Sequence, residues 1–184
     1  ISETTRSLMK KLRVREVTVS SPFGKEYPIG NKISALGVAT DAPVTIFLDS
    51  DILCMRKPDE TIFFTEGFKA KPADLNTFSN KVANWQTIYS RFELELPPYR
   101  VLSTVSNQAM LPYFNAGVIC VKSGQKFSSS WLKIAKRIDD AKDINKKRPW
   151  LEQNSLPVTV QSLNFETEVL SDSYNYPAHL KRID

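Results

Sequence analysis

Apolar residues recur along this chain in two rhythms, and each rhythm predicts a different element. Leu8, Met9 and Leu12 fall at helical spacing, so residues 3–12 are expected to form a helix. Val14 to Val19 alternates apolar with polar and predicts a short strand, which Ser20-Ser21-Pro22-Phe23-Gly24 then breaks. Asn31 to Gly37 predicts a helix with Asn31 as its N-cap and Gly37 near its end. Val44-Thr45-Ile46-Phe47-Leu48 is nearly continuous in apolar character, the pattern of a strand covered on both faces in a parallel sheet. Ile62 to Phe64 predicts another strand and Lys71-Pro72-Ala73-Asp74 a loop. Val82, Trp85, Ile88, Tyr89 and Phe92 mark an amphipathic helix over Lys81 to Phe92, ended by Leu96-Pro97-Pro98-Tyr99. Val101 to Val105 reads as a strand, and Asn115 to Val121 as the second strongly apolar one. Helices are expected over Phe127 to Lys142 and over Trp150 to Leu163, the latter kinked or interrupted at Pro157. Strands interleaved with helices predict an α/β domain on a mainly parallel central sheet flanked by helices.

Composition narrows this picture without redirecting it. With 41% hydrophobic and 24% charged residues over 184 positions, the chain reads as a folded globular protein and general disorder is excluded. At this size roughly 70% of the extended chain's surface becomes buried, enough for one core, so residues 1–184 are expected to form a single domain. The chain starts at Ile1 without an initiator Met and ends without a tail, and it reads as a piece of a longer protein truncated at both ends. No apolar run approaches the length of a transmembrane helix. Cys54 and Cys120 both end apolar runs, which predicts buried, reduced thiols and favours the cytoplasm.

The formal net charge is +5, and Lys133, Lys136, Arg137, Lys142, Lys146, Lys147 and Arg148 cluster within one stretch. Asp139, Asp140 and Asp143 interrupt that cluster, so it reads as a mixed charged helix face. No nucleic-acid motif accompanies it, and an anionic surface or acceptor suits it better than nucleic acid.

Three segments carry candidate chemistry. Asp49-Ser50-Asp51 directly follows an apolar strand, at the end of a strand where α/β proteins bind ligands. If the stretch stays extended, Asp49 and Asp51 point the same way and can share a divalent cation, which takes carboxylate oxygens and leaves positions for phosphate. Tyr113-Phe114-Asn115-Ala116-Gly117-Val118 places a polar Asn at the mouth of a buried strand beside a glycine that permits close approach. Glu152-Gln153-Asn154 opens an apolar helix, where a carboxylate is also favourable through the helix dipole alone.

Taken in order, Asp49-Ser50-Asp51, Tyr113 to Val118, Glu152-Gln153 and the closing Tyr174-Asn175-Tyr176-Pro177 resemble a GT-A-fold, nucleotide-sugar-dependent glycosyltransferase. The retaining glycogenin-like and galactosyltransferase-like group is the most similar, and Asn31-Lys32 also matches the helix preceding its Asp-x-Asp strand. The resemblance implies a metal-dependent enzyme moving a hexose, glucose or galactose, from a UDP-sugar to an acceptor. Asp49 and Asp51 would hold Mn²⁺ or Mg²⁺ against the diphosphate, with Lys32 adding positive charge. Ser50, Asn115 and Ala116 would join the nucleotide-sugar site, and Glu152 with Gln153 would sit by the transferred sugar and acceptor. Where that family carries Asp-Gln, this chain has Glu152-Gln153. A further metal ligand would be His179, the only histidine, or a residue beyond Asp184. Two other readings share parts of this pattern: a sugar nucleotidyltransferase, whose Gly-rich phosphate loop is absent from this stretch, and a non-catalytic nucleotide-sugar-binding domain.

Overall fold

Nine residues, Phe114–Lys122, form the longest strand (β5) of the computed structural model, which describes residues 1–181. Arg182, Ile183 and Asp184, the end of the expected domain, lie outside the described residues. The other strands of the main sheet are β1 (Val44–Leu48), β2 (Phe68–Pro72) and β6 (Thr167–Val169), in the order β1-β5-β2-β6. A separate hairpin pairs β3 (Val101–Leu102) with β4 (Ala109–Met110). The helices are α1 (Glu3–Lys11), α2 (Asn31–Leu36), α3 (Val82–Ser90), α4 (Gly124–Asp139) and α5 (Leu151–Ser162).

The architecture is mixed α/β, but the sheet is mostly antiparallel where a mainly parallel one was expected. β5 runs antiparallel to both β1 and β2, and only β2 with β6 is parallel. An apolar run reports that helices cover a strand and carries no information about its direction, which is how the expectation failed. β1 is also an edge strand with Leu48 exposed, so its apolar run is not buried on both faces.

The core forms between the sheet and the α4–α5 pair. Phe127, Trp131, Ile134, Ala135 and Ile138 make one buried face of α4. Phe68 of β2 stacks on Phe127 at 5.7 Å and meets Phe114 edge-on at 5.4 Å. α5 is buried nearly all round and continues through Pro157, which deprives the Gln153 carbonyl of its intrahelical donor. Trp131 Nε1–H reaches across to the Glu152 carbonyl at 3.1 Å and Ser155 Oγ at 2.9 Å, locking the two helices in register.

Several expected elements differ. Val14 to Val19 has no partner strand among the described residues and stays irregular, since alternation alone cannot make a ladder. Ile62 and Phe63 lie in a 3₁₀ turn (Glu60–Phe63), started by Asp59 accepting the Thr61 N–H at 2.9 Å, and Phe64 only flanks it. Lys71 and Pro72 end the buried strand β2 and are not loop. Asn31 is the first residue of α2 following a 3₁₀ turn at Pro28–Gly30, not its N-cap. Cys120 is buried as expected, whereas Cys54 is exposed. β6 reaches β2 only because Gly67 lacks a side chain, as a Cβ there would stand 2.3 Å from the Glu166 carbonyl oxygen.

Candidate functional site

Where β1 ends, Asp49 is held by its backbone: its N–H donates to the Gly117 carbonyl at 2.8 Å, continuing the β1–β5 register by one residue. The chain then turns, with the Ile52 N–H on the Asp49 carbonyl at 3.2 Å. The stretch therefore does not stay extended, and alternation does not align Asp49 with Asp51; the two carboxylates instead occupy the first and third positions of one turn. Ser50 and Asp51 are exposed, and the Asp49 side chain is half-buried.

Lys32 projects from the first turn of α2, and its Nζ meets Asp49 Oδ2 at 3.0 Å, with the ammonium 6.0 Å from the Phe47 ring centroid. Across the ladder, the missing side chain of Gly117 lets Asp49, Asn115 and Asn175 close in on one point. A Cβ there would lie 3.2 Å from Asp49 Oδ2 and 2.7 Å from Asn175 Nδ2. Asn115 is tied on both ends of its amide. Its Oδ1 accepts from the Gly117 N–H at 2.9 Å and Asn175 Nδ2 at 2.8 Å, and its Nδ2 donates to Asp74 Oδ2 at 3.0 Å. Asp74 is anchored in turn by Lys71 Nζ at 2.6 Å and the Thr104 hydroxyl at 2.7 Å. Burial pushes the Asp74 carboxyl upward, but the hydrogen bonds from Lys71, Thr104 and Asn115 outweigh it and hold it below the usual carboxylate range.

Glu152 closes the other side. It is 1% exposed, and its carboxylate accepts the Tyr27 phenol O–H. Tyr27 Oη also accepts the Leu151 N–H at 3.1 Å, which fixes the start of α5. Burial raises the Glu152 carboxyl above its ordinary value; the Tyr27 hydrogen bond and the Lys32 charge oppose this, and the Asp49 charge adds to it. Burial and then the Glu152 charge raise Tyr27 too, so the phenol keeps its proton. These electrostatic couplings put Glu152 in the same neighbourhood as Lys32 and Asp49.

The fold thus brings Lys32, Asp49, Asn115 and Glu152 together from four separated stretches. Gln153 is half-buried on α5. Ala116 is fully buried in the core on the opposite face of β5 from Asn115, so only its backbone could meet a ligand. His179 is exposed in the turn after Pro177. Among the described residues no three His, Cys, Asp or Glu side chains converge as a metal cluster. Tyr27, Lys71 and Asp74 are not among the sequence-level candidates, and Asn175 is there only within the Tyr174–Pro177 segment. Lys71 and Asp74 carried one available signal, opposite charges three residues apart, but nothing local says that the pair is buried.

Comparison with known proteins adds one match. A profile of the Rhodobacterales glycosyltransferase domain matches residues 1–164, a span that includes Lys32, Asp49, Asn115 and Glu152 and stops short of Asn175 and His179. No curated protein and no solved structure matches the chain.

Proposed function

The chain belongs to the Rhodobacterales glycosyltransferase domain family, and on that premise we propose that it transfers a hexose, glucose or galactose, from a UDP-sugar to an acceptor in a reaction assisted by Mn²⁺ or Mg²⁺. A GT-A-like architecture and kinship with the retaining glycogenin-like group belong to the same proposal. The observation that carries it is the convergence of Asp49, Asn115 and Asn175 on the side-chain-free backbone of Gly117, with Lys32 paired to Asp49.

The residues present fit a divalent ion that travels with a diphosphate. Such an ion needs only one or two protein carboxylates, its other positions going to phosphate oxygens and water. Asp49 and Asp51 supply two carboxylates in one turn, both reachable from solvent. When bound, the ion neutralises charge developing on the departing diphosphate.

The remaining work belongs to the chain. Lys32 adds a second positive charge at the same point and is free to exchange Asp49 for a phosphate oxygen. Asn115 meets the donor sugar as an oriented amide, because Asp74, Gly117 and Asn175 hold it from both ends. Glu152 is too deeply buried to touch the sugar. It acts as a positioning residue, through Tyr27 and through its charge on Lys32, while Gln153 next to it reaches the sugar side.

Calorimetric titration with UDP, UDP-glucose and UDP-galactose, with and without Mn²⁺, tests this. Binding should require the metal and vanish in Asp49→Asn. Metal-independent binding that survives this substitution would overturn it.

A further inference from the structure

Phe114 follows Tyr113 on the same stretch that carries Asn115, but adjacent residues of a strand face opposite sides. Phe114 therefore looks away from the Asp49 cluster, into a separate groove of about 200 Å³. One wall is the second half of α5, through Pro157 and Gln161, and the other is the Pro97-Pro98-Tyr99 segment. No lining residue carries a charge. Tyr89 of α3 also lines the groove, is 1% exposed, and its hydroxyl has no hydrogen-bond partner. Burial, and after it the nearby Tyr99, raise Tyr89, so that hydroxyl remains a donor throughout the working pH range. A buried polar group left unpaired costs stability, and a hydroxyl kept unpaired in a groove is one that a ligand can satisfy.

The lining defines the ligand's chemistry. Without a cation in the wall, the groove offers nothing to a nucleoside diphosphate, so the donor is excluded. Exposed Tyr99 gives an aromatic face for C–H groups, while Tyr89, Gln161 and Asn164 give hydrogen-bonding groups around it. Gln161 Nε2 is already engaged with the Glu95 carbonyl at 2.8 Å, leaving its oxygen as an acceptor. A ring with apolar faces and a rim of neutral hydroxyls matches this set, and the volume suits one ring. α5 links the groove to the transfer site, since Gln161 lies nine residues beyond Glu152, about 13 Å along the helix.

We propose that this groove is an acceptor subsite, holding one neutral pyranose of a glycan with its C–H face on Tyr99 and a hydroxyl on Tyr89. The identification of the sugar as acceptor rests on the glycosyltransferase reading of the Asp49 site; the sugar site itself stands or falls separately.

Saturation-transfer NMR on the full chain without nucleotide tests it, with glucose, galactose, mannose and their short neutral oligosaccharides as probes at millimolar concentration. The expected result is transfer to sugar C–H protons in the wild type and equally in Asp49→Asn. Affinity should fall about two- to tenfold in Tyr89→Phe, the range for one lost hydrogen bond, and further in Tyr99→Ala. Tyr89→Phe removes only an unpartnered hydroxyl and should fold at least as well as the wild type, so unchanged sugar binding in that variant overturns the proposal. Silence from every sugar also overturns it, as does displacement of the sugars by a polyproline peptide bound at least as tightly. Sugar binding alongside failed UDP titration would leave the subsite standing while removing the donor site.

Discussion

Half-buried Asp74 and buried Glu152 both carry carboxylates beside the site, and their surroundings drive them in opposite directions. Asp74 is held down by its donors, so its contribution to stability is present above the unfolded value near 4 and is lost as pH falls through the lower folded value. Asp74→Asn leaves the Lys71 ammonium, with no exposed surface, without a counter-charge. It should cost about 3 kcal/mol at pH 7, and the gap from wild type should close below about pH 4 in pH-resolved denaturant titrations. Glu152 is raised, so the native state binds its proton more tightly and wild-type stability declines as pH climbs from the unfolded value through the folded one. Glu152→Gln keeps an acceptor for Tyr27 and removes the buried charge. Its stability relative to wild type should rise across that window, as followed by pH-resolved denaturant titrations. Gly117→Ala tests the site itself. The new methyl meets the side-chain amide of Asn175, which can move, so folding should survive at a cost near 1 kcal/mol. Metal-dependent UDP affinity, followed by calorimetry, should fall about tenfold or more, because the same methyl crowds Asp49.

Two neighbouring elements show what a residue pattern can and cannot convey. The buried stripe of α4 is legible from Phe127, Trp131 and Ile138, because a helix that covers a sheet must repeat its apolar side every turn. β2 reads Phe68-Lys69-Ala70-Lys71-Pro72, and two lysines and a proline conceal a fully buried strand. Those lysines can be buried only because Lys69 meets Glu168 at 2.9 Å and Lys71 meets Asp74, and the first of these partners lies about a hundred residues away. The end of α4 depends on a similar contact. Lys147 Nζ donates to the carbonyls of Ile138 and Asp139 in the last turn of the helix and of Ala141 just beyond it. Lys147→Ala should therefore lower stability by about 1–2 kcal/mol, seen as a Tm drop of roughly 2–8 °C, while leaving UDP binding unchanged.

Taken as a whole, the molecule carries +5 net charge and a pI near 9.2, with its basic stretch partly neutralised on the surface. Arg148 forms a two-pronged pair with Asp139, and Arg91 meets Asp143, so that helix end presents mixed charge, as its sequence suggests. No helix among the described residues is long and apolar enough to cross a membrane. If the Asp49 site binds the donor, ligand must stabilise the fold by mass action. UDP at about 100 times its dissociation constant should add roughly 2.7 kcal/mol and raise Tm by about 5–10 °C with Mn²⁺ present. A shift of the same size without Mn²⁺, in a thermal scan, would remove the metal from the reading.

What the chain alone determines is the local part: the helices with repeating apolar faces, the two apolar strands, and the placing of Asp49 and Asp51 directly after one of them. Each of these depends on residues within a few positions of one another, where periodicity and side-chain chemistry speak directly. Strand direction, the turn that carries Asp49 and Asp51, the burial of Lys71 and the enclosure of Glu152 by Tyr27 belong to the folded structure. So does the clasp that joins Asn115 to Asp74 and Asn175. Those features are set by partners that only folding brings within hydrogen-bonding distance, and a buried charge becomes tolerable only when such a partner arrives.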